Sequence, residues 1–346
     1  MEEKQSFLKR KNIEFSAKRY LQDALSAMAL GLFSSLLIGL IIKTIGEQTI
    51  NLFGNNMVSA FLVDTGSQAM GLMGAAIGIA VAWGLKAPPL VMFTSAITGM
   101  MGATLGGPAG SFIAAAVGAE FGKAVSKETK VDIIVTPAVT MIMGAITATA
   151  VGPLVGKLMN GLGNVIMTAT EWQPFAFGIV VSVIVGLALT APISSAALCM
   201  MLGLTGLAAG AATVGCCAQM VGFAAISYKD NGVGGVVAQG IGTSMLQISN
   251  ICKNPWILLP PTAAAAIIGP ISTCVFKMTN NAMGAGMGTS GLVGQIGTFT
   301  DMGFTAYVLF GVVLLHIVLP VVLSLVFDKL LRKAGKIKDG DYKLEL

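Results

Sequence analysis

Two long apolar runs, residues 24–42 and 305–327, bracket a chain whose intervening segments are nearly as apolar. A helix crosses the hydrocarbon layer of a bilayer with about 20 apolar residues. In lipid no water satisfies backbone N–H and C=O groups, so a spanning segment must be a helix or part of a closed barrel. Unbroken apolar runs of this length, without strand-like alternation, select the helix. Charged residues make up only 11% of the chain, against about 25% in a soluble domain. Mean hydropathy is +0.82. The class is an all-α polytopic membrane protein, embedded in a lipid bilayer.

Charge fixes the expected orientation. Lys4, Lys9, Arg10, Lys11, Lys18 and Arg19 precede the first run, and Lys329, Arg332, Lys333, Lys336, Lys338 and Lys343 follow the last. Basic flanks stay in the cytoplasm, so both termini are expected on the cytoplasmic face of a bacterial inner (plasma) membrane. Apolar runs at 24–42, 69–85, 90–105, 112–125, 131–151, 174–189, 193–209, 211–226, 255–276 and 305–327 give about ten transmembrane helices. That arrangement puts about 18 of the 21 Lys and Arg inside, leaving Lys43, Lys157 and Lys277 outside. Residues 1–23 read as an amphipathic cytoplasmic segment, 24–328 as one transmembrane domain and 329–346 as a basic cytoplasmic tail. Residues 44–68 and 152–173 read as external connections. No nucleic-acid partner is expected, because the basic flanks need no cause beyond the membrane. The five cysteines lack a Cys-x-x-Cys pair and read as buried small hydrophobes.

The chain also repeats a set of landmarks. Leu85-Lys86-Ala87-Pro88 corresponds to Leu189-Thr190-Ala191-Pro192, Thr136-Pro137 to Asn254-Pro255, and Gly152-Pro153 to Gly269-Pro270. Lys157-Leu158-Met159-Asn160 corresponds to Lys277-Met278-Thr279-Asn280. Two internal repeats, about 71–160 and 174–280, follow from their conserved order. Duplicated halves are a transporter design with the site between the copies. Parallel and inverted arrangements both remain open.

No Ser/His/Asp set, metal cluster or dinucleotide motif is present, so no catalytic residue, metal or cofactor is expected. The candidate solute-binding residues are uncharged except for Lys86 and Glu120. Gly284-Ala285-Gly286-Met287-Gly288-Thr289-Ser290-Gly291-Leu292-Val293-Gly294-Gln295 combines turn-forming glycines with the donors and acceptors of Thr289, Ser290 and Gln295. Two readings stand: a Gly-rich re-entrant segment lining a solute path, or an external loop. Gly106 to Ser111 is the analogous break in the first half, and a plain turn explains it equally. Gln239, Thr243, Gln247 and Asn250 share a helical face, with Asn254 beyond. Amides and hydroxyls suit a small polar, sugar-like solute, or they tie helices together. Lys86 sits at the first Ala-Pro break. Glu120 ends an apolar run, where it is either functional or snorkelling to the interface. His316 is the only histidine, a proton carrier or a packing residue.

The glycine run, Ala87-Pro88, Gly106 to Ser111 and Thr190 to Ser195 together resemble the enzyme IIC-like family of the bacterial sugar phosphotransferase system, in its perfringolysin-regulator branch. The resemblance covers nearly the whole chain. It implies a membrane permease, by analogy a homodimer, served by a separate phosphocarrier protein. No fused phosphocarrier domain follows the last run, and the Gly-Ile-Thr-Glu signature of glucose-type IIC proteins is missing. An ion-gradient-driven transporter and a membrane-embedded ligand sensor are the alternatives.

Overall fold

The computed structural model describes residues 7–191 and 194–344. Lys4, and Pro192 and Ile193 of the second Ala-Pro break, lie outside them. The chain divides into two compact units, Met1–Asn160 and Gly161–Leu346. Regular structure among the described residues is helical, with one isolated bridge between Gly206 and Asn280.

In the first unit, α1 (Lys18–Ile50) is followed by α2 (Met57–Gly71) and α3 (Met73–Gly84), which bend by 49° at their junction. Residues 44–68, expected as an external connection, are mostly helical. The polar residues that suggested a loop include the cap of α2. The Asn56 side chain accepts the backbone N–H groups of Val58 and Ser59, both at 3.0 Å, and Ser59 returns a bond to Asn56 N–H. Next come α4 (Pro89–Val125) and α5 (Asp132–Ala150). α4 is a hairpin. Gly106 and Gly107 leave helical geometry, Gly107 with φ +61° and ψ −156°, and Val91 packs against Gly122. The apolar runs at 90–105 and 112–125 are the two arms of this hairpin. Its helices pack through glycine: a Cβ on Gly78 would overlap the Ser95 carbonyl oxygen, and one on Gly66 the Gly39 oxygen. Small residues serve this purpose where lipid supplies no hydrophobic drive between helices.

α6 (Gly152–Trp172) is an amphipathic helix where the sequence suggested an external segment. In the second unit α7 (Pro174–Thr190) and α8 (Ser195–Leu202) lead to α9 (Gly206–Ile226). α9 is buried on all faces, as its Ala, Gly and Cys content requires. Gly215 of α9 meets the Ser182 carbonyl of α7, and Gly210 meets the Met278 carbonyl. Then follow α10 (Tyr228–Val237), α11 (Ile248–Lys253), α12 (Pro255–Phe276), α13 (Val293–Met302) and α14 (Ala306–Lys333). Val214 and Ala218 of α9, Ala264 and Ile268 of α12, and Val312 and Leu315 of α14 form one core cluster.

Among the described residues, six helical segments are long and apolar enough to span a bilayer, α1, α4, α5, α9, α12 and α14, with α4 counted across both arms of its hairpin. The bent α2–α3 pair makes a seventh if it counts as one span, and α7 is a shorter apolar helix. The ten runs of the sequence exceed this number because two share the α4 hairpin and others are short or bent helices. Phe93, Ile133, Ile134, Phe175 and Phe310 are each exposed, as expected of side chains facing acyl chains. All five cysteines are free, and Cys252 and Cys274 are exposed rather than buried.

Candidate functional site: two polar centres in the second unit

Most of the glycine run is enclosed by protein, with Gly291 and Leu292 exposed. Asn281 caps a single helical turn, Ala282–Ala285, by accepting the N–H groups of Met283 (3.1 Å) and Gly284 (3.0 Å). Gly288 and Gly291 then take φ of +55° and +52°, a backbone that glycine adopts without strain. Gly286 lies against the Ser195 carbonyl of α8, and Gly288 against Cys216 and Cys217 of α9. Irregular backbone survives among apolar helices only where protein or a cavity shields it, and here α8 and α9 do so. Residues 284–289 and 293–295 are buried.

Asn280 anchors this first centre. Its Nδ2 donates to Thr213 Oγ1 (2.7 Å), the Gly294 carbonyl (2.9 Å) and Thr298 Oγ1 (3.1 Å), while its Oδ1 accepts the Asn281 N–H. On α13, Gln295 Nε2 lies 3.1 Å from His316 Nδ1 in a hydrogen bond and 3.5 Å from Cys217 Sγ. His316, on α14, is buried, and the tautomer of its ring sets which partner donates. Gln295 Oε1 is buried and has no hydrogen-bond partner. An orphaned carbonyl oxygen of this kind costs about 1–3 kcal/mol, and its presence calls for an explanation. Thr289 is buried, with its hydroxyl 3.7 Å from Met220 Sδ. Ser290 is half-buried at the edge of the run. The side chains at this centre are polar and uncharged.

The second centre is a ladder of amides, and its partner is the end of the chain. Gln239 Nε2 donates to Ser227 Oγ (2.7 Å), Gln247 Nε2 to Gln239 Oε1 (2.8 Å), and Asn250 Nδ2 to Gln247 Oε1 (2.8 Å). The remaining donors reach the tail: Gln247 and Asn231 to the Tyr342 carbonyl (3.0 and 2.8 Å), Asn250 to that of Lys343 (2.9 Å) and Asn254 to that of Lys336 (2.9 Å). Tyr342 is fully buried, and its hydroxyl donates to Asp328 at 2.7 Å. Burial, followed by the charge of Asp328, pushes the Tyr342 phenol well above its ordinary range. The tail, expected as a basic cytoplasmic segment, is docked over residues 336–344. Thr243 stands apart, its hydroxyl accepting the Met245 N–H.

The family described as Phosphotransferase system, EIIC matches residues 22–344. The chain belongs to this family. It is an integral membrane protein of the sugar-permease type, working with a phosphotransferase system. A comparison with curated proteins found no match. The family match extends from α1 into the docked tail, so the tail is part of the EIIC-family sequence.

In the first unit of this EIIC-family chain, the remaining candidate residues have separate surroundings. Ser111 donates to the Gly74 carbonyl (3.2 Å) and ties the α4 hairpin to α3. Glu120 pairs with Lys123 at 3.0 Å and accepts the Tyr20 hydroxyl at 3.2 Å. Lys86 is exposed on the turn after α3. Sequence reasoning missed Asn280 and Thr213 as the anchor of the glycine run. It also missed a buried chain from Ser244 through Thr190 and Gln219 to Thr262. Lone Asn and Gln residues among apolar helices were the available signal, since each needs a buried partner.

Proposed function

We propose that this EIIC-family protein carries a small, uncharged, sugar-like solute, and that Thr289, Ser290 and Gln295 with His316 form part of its binding site. The observation that carries the reading is the unpartnered, buried Gln295 Oε1 beside His316. A solute hydroxyl donating to that oxygen would remove the desolvation cost. The glycines around it let a ligand approach the backbone closely. Thr289 and Gln295 are nearly sealed, so loading requires this centre to open, as alternating access does. In this reading Gln239, Gln247, Asn250 and Asn254 hold the tail and meet solute only when the tail leaves. Phosphoryl transfer to the solute comes from a separate phosphocarrier protein. Homodimeric assembly and the twofold repeat belong to the same proposal.

Uptake of a panel of labelled hexoses and polyols into proteoliposomes tests this. Uptake is expected for at least one solute, dependent on a phosphoryl donor system, and reduced at least tenfold by Gln295→Ala. Uptake driven by an ion gradient alone would replace the phosphotransfer reading. Binding without uptake would favour a sensor. Unchanged uptake of the true solute in Gln295→Ala and Thr289→Val would remove the proposed site.

A further inference from the structure

A second, differently charged site lies in the first unit, independent of the solute reading. A cavity of about 410 Å3 opens among three segments: residues 10–12, the turn after α3 at Lys86 and Pro88, and the end of α4 with the following turn, 123–128. Five cations line it: Arg10, Lys11, Lys86, Lys123 and Lys127. Lys123 is buried, and its ammonium donates to the Leu85 carbonyl (3.0 Å), fixing one wall to another.

The carboxylates in reach do not balance these charges. Glu128 pairs with Arg10 (2.8 Å) and with Lys11, whose hydrogen bond holds the Glu128 carboxyl below its ordinary range. Glu120 pairs with Lys123, and Asp132 accepts the Lys127 backbone N–H at 2.6 Å. Among the described residues, neither Lys86 nor Lys127 has a carboxylate within ion-pair distance. A bland explanation is that cations gather where helices end. The C-termini of α3 and α4 are both here, and each contributes about half a negative charge. Among the described residues, five cations against three carboxylates and two such termini still leave about one positive charge uncompensated.

Backbone geometry points the same way. Lys86 and Lys127 have φ of +56° and +60°. Each follows a helix end, a position that glycine fills without strain. A lysine there keeps a side chain at a conformational cost, and strain of this kind is a pointer to function. On its other side, the segment 7–15 helps to line an apolar groove of about 450 Å3 with Phe112, Val117 and Phe121.

We propose that the cavity bounded by Lys86, Lys123 and Lys127 binds a phosphate group. Lysine ammoniums serve phosphate as point charges. The volume admits a phosphate together with what it esterifies. Two sources share this chemistry: the headgroup of an anionic phospholipid, its acyl chain lying in the adjacent groove, or a soluble phosphate ester.

The test uses the purified full chain in a neutral detergent with two probes. Native mass spectrometry compares retained phosphatidylglycerol with phosphatidylcholine. A thermal shift compares inorganic phosphate with chloride at equal ionic strength. Preference for phosphatidylglycerol assigns the lipid source, and a phosphate-specific shift assigns the soluble one. The preference observed is expected to fall at least tenfold in Lys86→Gln/Lys127→Gln and to persist in Lys157→Gln. Lys86→Gly/Lys127→Gly separates binding from folding: relief of backbone strain is expected to raise the Tm while the preference is lost. Absence of both preferences in the unaltered protein would overturn the proposal. So would unchanged binding in the folded glycine variant.

Discussion

Replacing Tyr342 with phenylalanine removes one hydroxyl and leaves the ring in place. That hydroxyl donates to Asp328 at 2.7 Å, while Arg332 Nε holds the other carboxylate oxygen, also at 2.7 Å. The ring packs edge-on to Phe223 with centroids 6.3 Å apart, and Arg332 lies over it at 5.6 Å. A hydrogen bond to a charged group contributes about 1.5–3 kcal/mol. Asp328 keeps Arg332, so the loss stays in that range. The tail opens locally rather than with the whole protein, and its amides report that opening. Leu344 N–H is held by Asn231 Oδ1 at 2.8 Å, and Tyr342 N–H by Asp230 at 3.3 Å. Hydrogen exchange of the C-terminal peptide in detergent is therefore expected to accelerate about 10–100-fold in Tyr342→Phe, since each 1.4 kcal/mol is a factor of ten. Helices α5 and α12 should exchange as before. Exchange of the tail within threefold of the unaltered protein would refute the docking argument.

Tail docking should also fail in alkali. Burial and Asp328 raise the Tyr342 phenol in the folded state, so docking is fully supported below the free-tyrosine value of about 10 and weakens as pH rises past it. Tyr342→Phe should lack this alkaline component of tail release, measured by limited proteolysis of the C-terminus. Gly215→Ala should lower thermal stability by about 1–3 kcal/mol, because its Cβ would overlap the Ser182 carbonyl oxygen. Gly107→Ala has open space but an unfavourable backbone, so a loss of similar size there would come from strain alone. Asn280→Ala strips donors from Thr213, Thr298 and the Gly294 carbonyl. Its thermal midpoint should fall further than that of Ser111→Ala, which loses one bond.

The sequence showed the parts of this fold that depend on local composition. Apolar runs became helices, and Gly106-Gly107 marked the hairpin because the φ/ψ of Gly107 suits only glycine. Residues 284–295 kept Met287 and Val293 among their glycines, and both are buried. What stayed hidden depends on distant partners. Asn56 resembles a loop residue until Ser59 completes the cap of α2. The ladder from Gln239 to Asn254 resembles a sugar site because amides bind peptide carbonyls as readily as hydroxyls. Its partners lie 82–95 residues along the chain, in a tail whose charges suggested only cytoplasmic flanking sequence.

The claim that solute is held at the glycine run rests on Gln295. A structure with transported solute bound at saturation tests it most directly. Solute density with a hydroxyl within 3.2 Å of Gln295 Oε1, beside Thr289, is the expected result. Well-defined solute elsewhere, with Gln295 Oε1 still unpartnered, would contradict it.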